Sequence, residues 1–144
     1  MTSKQIQALV YATAFGDGMP AHMASLIQWQ SQHETDDYTS NAFKKNNNLF
    51  GYKVFSGSKW QTGKGITSSE GDPYASYASI EDSVHELTAW IKRRQHKGQF
   101  PADLNKIVTP QDYAIWLKAC GYFGDTVGNY VSGILHFKNK DTLV

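Results

Sequence analysis

Apolar residues recur at helical spacing in five stretches of this chain, and polar, glycine-rich sequence separates them. From about residue 3 to residue 15, Ile6, Leu9, Val10 and Ala14 mark one face, and Gly16-Asp17-Gly18 ends the run. Pro20 suits the first turn of a second helix, where Met23, Ile27 and Gln30 line one side with Leu26 beside them. That helix delivers Glu34 at its end. Residues 36–77 are rich in Gly, Ser, Asn and Thr with short aromatic islands. They read as loops with a small hairpin near 59–62 and 66–69, turned by Gly63-Lys64-Gly65. Ser79, followed three residues on by Asp82, opens a third helix carrying Ile80, Val84, Leu87 and Ile91 inward. Thr109-Pro110-Gln111-Asp112 opens a fourth, with Tyr113, Trp116, Leu117 and Cys120 on one face and Gly121 as its stop. Asp125 suits the cap of a fifth, with Val127, Tyr130, Val131, Ile134 and Leu135 inward. Five helices around one hairpin predict an α+β, mainly helical fold in a single domain over residues 1–144.

Composition narrows the function classes. At 40% hydrophobic and 19% charged residues the chain reads as a folded protein, not a disordered one. Its net charge of +1 gives no electrostatic case for a nucleic-acid partner. No stretch approaches the ~20 apolar residues of a membrane span, and Gln5 and Gln7 interrupt any apolar signal core. The one cysteine, Cys120, excludes an intrachain disulfide and reads as a packed thiol. The histidines are scattered, and position 37 is Asp where a His33-Glu34 zinc-protease helix needs His, so no metal and no organic cofactor are expected. Lys92-Arg93-Arg94 reads as a complement to the negative end of its helix. Aromatics at 13% serve either core packing or stacking on flat ligands such as sugar rings.

Glu34 carries the sharpest chemistry. A carboxylate at the C-terminal end of a half-buried helix loses hydration and meets the negative end of the helix dipole. Both effects raise its pKa toward the range where it can donate a proton near neutrality, as protonation of a glycosidic oxygen requires.

The stretch Gln32-His33-Glu34-Thr35 followed by Asn47-Asn48-Leu49-Phe50-Gly51-Tyr52-Lys53 resembles the glucosaminidase family of the lysozyme superfamily, peptidoglycan hydrolases of autolysin, flagellar-rod and phage-lysin type. Trp60, Tyr77-Ala78-Ser79, Gly121-Tyr122, Asp125 and Tyr130 extend the resemblance from about residue 21 to residue 134. It implies a lysozyme-like fold, an endo-N-acetylglucosaminidase activity on peptidoglycan and Glu34 as general acid. Where the family often has Ser-Gly-Trp-Gly after the acid, this chain has Thr35-Asp36-Asp37-Tyr38. Either aspartate, if turned inward, would raise the proton affinity of Glu34 further.

The second half of the mechanism stays open. Glu70, in a glycine-flanked loop, is the candidate base or water-positioner, with Asp72 behind it; the substrate's own acetamido group is the alternative. Tyr122 is a candidate to orient the acetamido group or the water. Asn47, Asn48, Trp60, Tyr77 and Asp72 are the substrate-binding candidates; the asparagines read equally as turn residues. A muramidase or lytic transglycosylase is the nearest alternative, and a catalytically silent wall-binding or virion-assembly module is the alternative of another class. A monomer acting on the bacterial cell wall is expected, delivered by phage lysis, by a virion or as part of a longer chain.

Overall fold

The computed structural model describes residues 1–142. Helix α1 (Ser3–Gly16) begins at Thr2, whose side chain accepts the Gln5 N–H while the Gln5 side chain accepts the Thr2 N–H. Helix α2 (Ala21–Thr35) starts just after Pro20, which stands outside the first turn. Met23, Ala24, Leu26, Ile27, Gln30, Ser31, Gln32 and Thr35 are all buried on it. That is more than one stripe, because α1 packs on one side of α2 and α6 (Val127–Thr142) on another.

Two expectations for residues 36–77 need correction. A short helix, α3 (Asn41–Asn46), lies within the segment read as loops. Ser40 caps it by accepting the Phe43 N–H, and Asn47 ends it in left-handed geometry at φ 54°. Six residues carry too little periodicity to stand out, and only Phe43 among them is buried.

The hairpin is also displaced. Strand β1 (Gln61–Thr67) pairs antiparallel with β2 (Pro73–Tyr77), and residues 68–72 make the turn. Gly63-Lys64-Gly65 therefore lies inside β1. Gly65 is there for closeness: a Cβ on it would stand 2.5 Å from the Asn46 side chain, which accepts the Ile66 N–H at 3.0 Å. Glycine in this strand lets α3 dock on the sheet.

Helix α4 (Ile80–His96) is capped by Ser79, and α5 (Pro110–Ala119) by a reciprocal Thr109–Asp112 pair. Before α6, the Thr126 hydroxyl accepts the Asn129 N–H, so Thr126 supplies the cap expected of Asp125. Asp125 instead accepts from the Thr126 N–H and the Asn129 side chain. Buried residues of all six helices form one continuous core, from Ile6 and Val10 through Leu49, Val84 and Leu87 to Leu117 and Ile134. Among the described residues no helix is long and apolar enough to cross a membrane. No cluster of three or more His, Cys, Asp and Glu suited to a metal ion is found there either.

Candidate active site

Glu34 lies in the last turn of α2, half-buried, where α6 crosses. Tyr130 of α6 donates its hydroxyl proton to Glu34 Oε1 at 2.8 Å. The Tyr130 ring is fixed on two sides. Phe123 stacks on it at 4.0 Å between centroids and 5° between planes, and His33 meets it edge-on at 4.9 Å. Behind it Gln30 Nε2 donates to Tyr130 Oη at 3.2 Å, and Tyr113 Oη donates to Gln30 Oε1 at 2.6 Å.

The electrostatics follow from this enclosure. Burial pushes the Glu34 carboxyl from its ordinary 4.5 up to about 7, against the Tyr130 hydrogen bond, which lowers it. A group at that value is a proton donor matched to neutral pH. Burial also lifts Tyr113, Tyr122 and Tyr130 well above the ordinary phenol value, so all three stay neutral beside it. Desolvation lowers His33, with Asp125 opposing.

Asp36 and Asp37 do not face the acid. Asp36 is exposed, and Asp37 binds Ser3, Gln32 and Lys140, with its carboxyl held low by those bonds against the cost of burial. The backbone explains this. Asp36, Asp37 and Tyr38 take φ of 50°, 56° and 67° in succession, a left-handed turn that non-glycine residues adopt at a cost of ~1–3 kcal/mol each. Its bonds over-determine it. The Asp37 N–H reaches Gln32 O at 2.8 Å, the Tyr38 N–H reaches Thr35 Oγ1 at 2.8 Å, and Tyr38 Oη pairs with Ser31 Oγ at 2.8 Å. This turn leaves Asp36 in solvent and Asp37 on its three partners.

On the other side of the acid, Gly51 comes close: a Cβ there would lie 3.6 Å from Glu34 Oε2, and its φ of +74° favours glycine. Gly51 also lines a cavity of about 220 Å³ with Phe50, Tyr52, Lys53, Trp90, Arg94, Cys120, Gly121 and Tyr122. Tyr122 lines this cavity, its hydroxyl donating to Phe50 O at 2.9 Å. Trp90 tilts against Tyr122 at 5.3 Å, with the Arg94 guanidinium 5.3 Å from its ring centroid.

A model of the Glucosaminidase family, described as mannosyl-glycoprotein endo-beta-N-acetylglucosaminidase, matches residues 19–142. The chain belongs to this family. Two solved structures share the fold. One is described as a type VI secretion system effector–immunity complex from Pseudomonas protegens, with TM-score 0.67 and 14% identity over 95% of this chain and 89% of that one. The other is a peptidoglycan hydrolase from Sphingomonas sp. A1, with TM-score 0.66 and 19% identity over 89% of this chain and 86% of that one. No curated protein matches the chain in sequence.

Within this glucosaminidase fold the remaining candidates divide. Asn48 is buried, and its amide is fully used: Nδ2 donates to Tyr52 O and Ala75 O, and Oδ1 accepts the Gly51 N–H. Asn47 caps α3 and donates to Tyr77 O. Both asparagines tie α3, the Gly51 loop and the hairpin together, which spends both amide protons of Asn48 and one of the two on the half-buried Asn47. Tyr77 is buried, with its hydroxyl on Glu86 at 3.4 Å.

Trp60 lies elsewhere, in a second cavity of about 400 Å³ on the flank of α4, together with Glu86, Ala89, Lys92 and Arg93. Ser58 holds its loop there, accepting the Trp60 N–H and donating to the buried Glu86 at 2.7 Å. Glu70 and Asp72 are in the hairpin turn. Glu70 is 79% exposed, with Lys53 Nζ, on the rim of the first cavity, 4.0 Å from its carboxylate. That contact is too long and too wet to lock the side chain.

Tyr130, Gln30 and Trp90 carry no site role in the sequence reading. Gln30 has a visible signal, a polar side chain on an otherwise apolar helix face that must find buried partners. Tyr130 is visible only as the end of the family resemblance. Trp90 has no signal beyond its residue type.

Proposed function

We propose that this chain cleaves the glycan strands of peptidoglycan after N-acetylglucosamine, with Glu34 as the general acid. The observation that carries this reading is the Glu34 carboxyl itself, raised to about 7 by burial, held by Tyr130 and close to Gly51, which lines the first cavity. Family membership supports the sugar class, and the likeness to a peptidoglycan hydrolase supports the polymer. Glu34 gives its proton to the leaving glycosidic oxygen as the bond from that oxygen to the anomeric carbon breaks. The cationic charge that develops on the sugar needs a partner. Glu70 is the proposed second carboxylate, brought toward the cleft by movement of the exposed hairpin turn, and Tyr122 positions the group that attacks. The site of action is the bacterial cell wall.

The exposure of Glu70 favours a second reading, a lytic transglycosylase or muramidase, since a transglycosylase needs one catalytic acid. Digestion of purified sacculi by wild type and Glu34→Gln, with mass spectrometry of the fragments, tests both. Fragments ending in reducing N-acetylglucosamine support the glucosaminidase. Anhydro-muramic ends support the transglycosylase. Cleavage by Glu34→Gln at half the wild-type rate removes Glu34 from either mechanism.

A further inference from the structure

The reading of Glu34 as acid leaves open which of its two oxygens bears the proton. We infer that Gln30 and Tyr113 are positioning residues that place the transferable proton on Glu34 Oε2 by fixing the direction of the hydrogen bond from Tyr130. This rests on the proposed role of Glu34.

Tyr113 is fully buried, and among the described residues Gln30 Oε1 is the acceptor for its hydroxyl, at 2.6 Å. Turning the Gln30 amide over would leave that buried O–H with no acceptor, the costly case for a buried donor. The amide is therefore held with Nε2 toward Tyr130, to which it donates at 3.2 Å. Tyr130 Oη receives that bond, so its own proton points to Glu34 Oε1 at 2.8 Å. A protonated Oε1 would be the weaker acceptor of the Tyr130 proton, because the carbonyl oxygen of a carboxylic acid accepts better than its hydroxyl oxygen. The acid proton sits on Oε2, the oxygen toward Gly51, which itself lines the first cavity. When Oε2–H gives its proton to the glycosidic oxygen, that oxygen departs with the bonding electrons, and the new carboxylate keeps the Tyr130 bond on Oε1. The chain thus supports the charge that transfer creates without moving a heavy atom.

The titratable groups facing Glu34 are His33 on α2, Tyr113 on α5, Tyr130 on α6 and Tyr122 in the loop between, with Asp125 acting on His33. The tyrosines stay neutral and desolvation lowers His33, so among these groups the Glu34 carboxyl is the one raised toward neutrality.

The test is carbon-13 NMR titration of the Glu34 carboxyl, beside kcat and KM on soluble glycan fragments, for wild type, Tyr113→Phe, Gln30→Met, Tyr130→Phe and Tyr113→Phe/Tyr130→Phe. Without its anchor the amide can turn, Tyr130 no longer favours the carboxylate, and the Glu34 midpoint rises. We expect kcat to fall about tenfold in Tyr113→Phe, the scale of one hydrogen bond, with KM unchanged. Gln30→Met leaves Tyr130 only Glu34 to donate to, so its Glu34 midpoint should shift less than that of Tyr113→Phe, and in the Tyr130→Phe background Tyr113→Phe should add nothing. Two results overturn the inference. One is a Glu34 midpoint and kcat unmoved in Tyr113→Phe. The other is an undiminished effect of Tyr113→Phe when Tyr130 is already Phe. If no variant, wild type included, cleaves glycan, the functional reading fails while the NMR midpoints still decide the hydrogen-bond chain.

Discussion

Burying the Glu34 carboxyl has a consequence for stability that needs no substrate to observe. In the unfolded chain this group ionises near its ordinary value of 4.5; in the folded chain it holds its proton to about 7. Below 4.5 both states carry the proton, and the stability associated with the neutral group is fully present. As pH rises from 4.5 to 7 the unfolded chain releases the proton first, and that stability is lost through the folded value. At ~1.4 kcal/mol for each tenfold change in proton activity the full loss is roughly 3 kcal/mol. The half-open position of the carboxyl reduces this to roughly 2 kcal/mol. Glu34→Gln removes the ionisation and keeps an oxygen for the Tyr130 proton. Thermal melting of both proteins at pH 4 and pH 8 should therefore show the variant gaining on wild type as pH rises. For a domain of this size, roughly 2 kcal/mol corresponds to about 4–8 °C. The subtraction cancels every other titrating group. An equal difference at the two pH values would refute the argument, because Glu34 would then ionise as freely folded as unfolded.

A Cβ on Gly133 of α6 would run into the His33 ring. Gly133→Ala should cost ~1–3 kcal/mol in chemical denaturation as α6 is forced off α2, and adding His33→Ala should recover most of it. Trp60 packs beside His85 at 6.1 Å, away from the first cavity. Trp60→Ala should lower stability by ~1–3 kcal/mol with unchanged KM on soluble fragments; the reverse pattern would make Trp60 a sugar platform. Glu70→Gln should lose glycan cleavage and regain turnover with azide, releasing a glycosyl azide of inverted configuration. Near-normal activity would pass its role to Asp72, Tyr122 or the substrate's acetamido group.

The sequence alone determined the five long helices, because each repeats apolar residues at helical spacing over about three or more turns. It also placed Glu34 at a helix end next to the Asn47–Lys53 signature, since both are local strings. It could not place α3, whose six residues bury one side chain, or the hairpin register, where Gly65 serves contact with Asn46 and not a turn. Pairing between distant residues was equally hidden. The partner of Glu34 is 96 positions away, and the Gln30–Tyr113 bond joins residues 83 apart. Nothing local to Asn48 says that its amide is consumed by Tyr52, Ala75 and Gly51, or that Trp60 stands by Glu86 while Trp90 joins Tyr122. Those choices belong to packing: a side chain's periodicity says that it points inward, and only the neighbouring helices decide what it meets there.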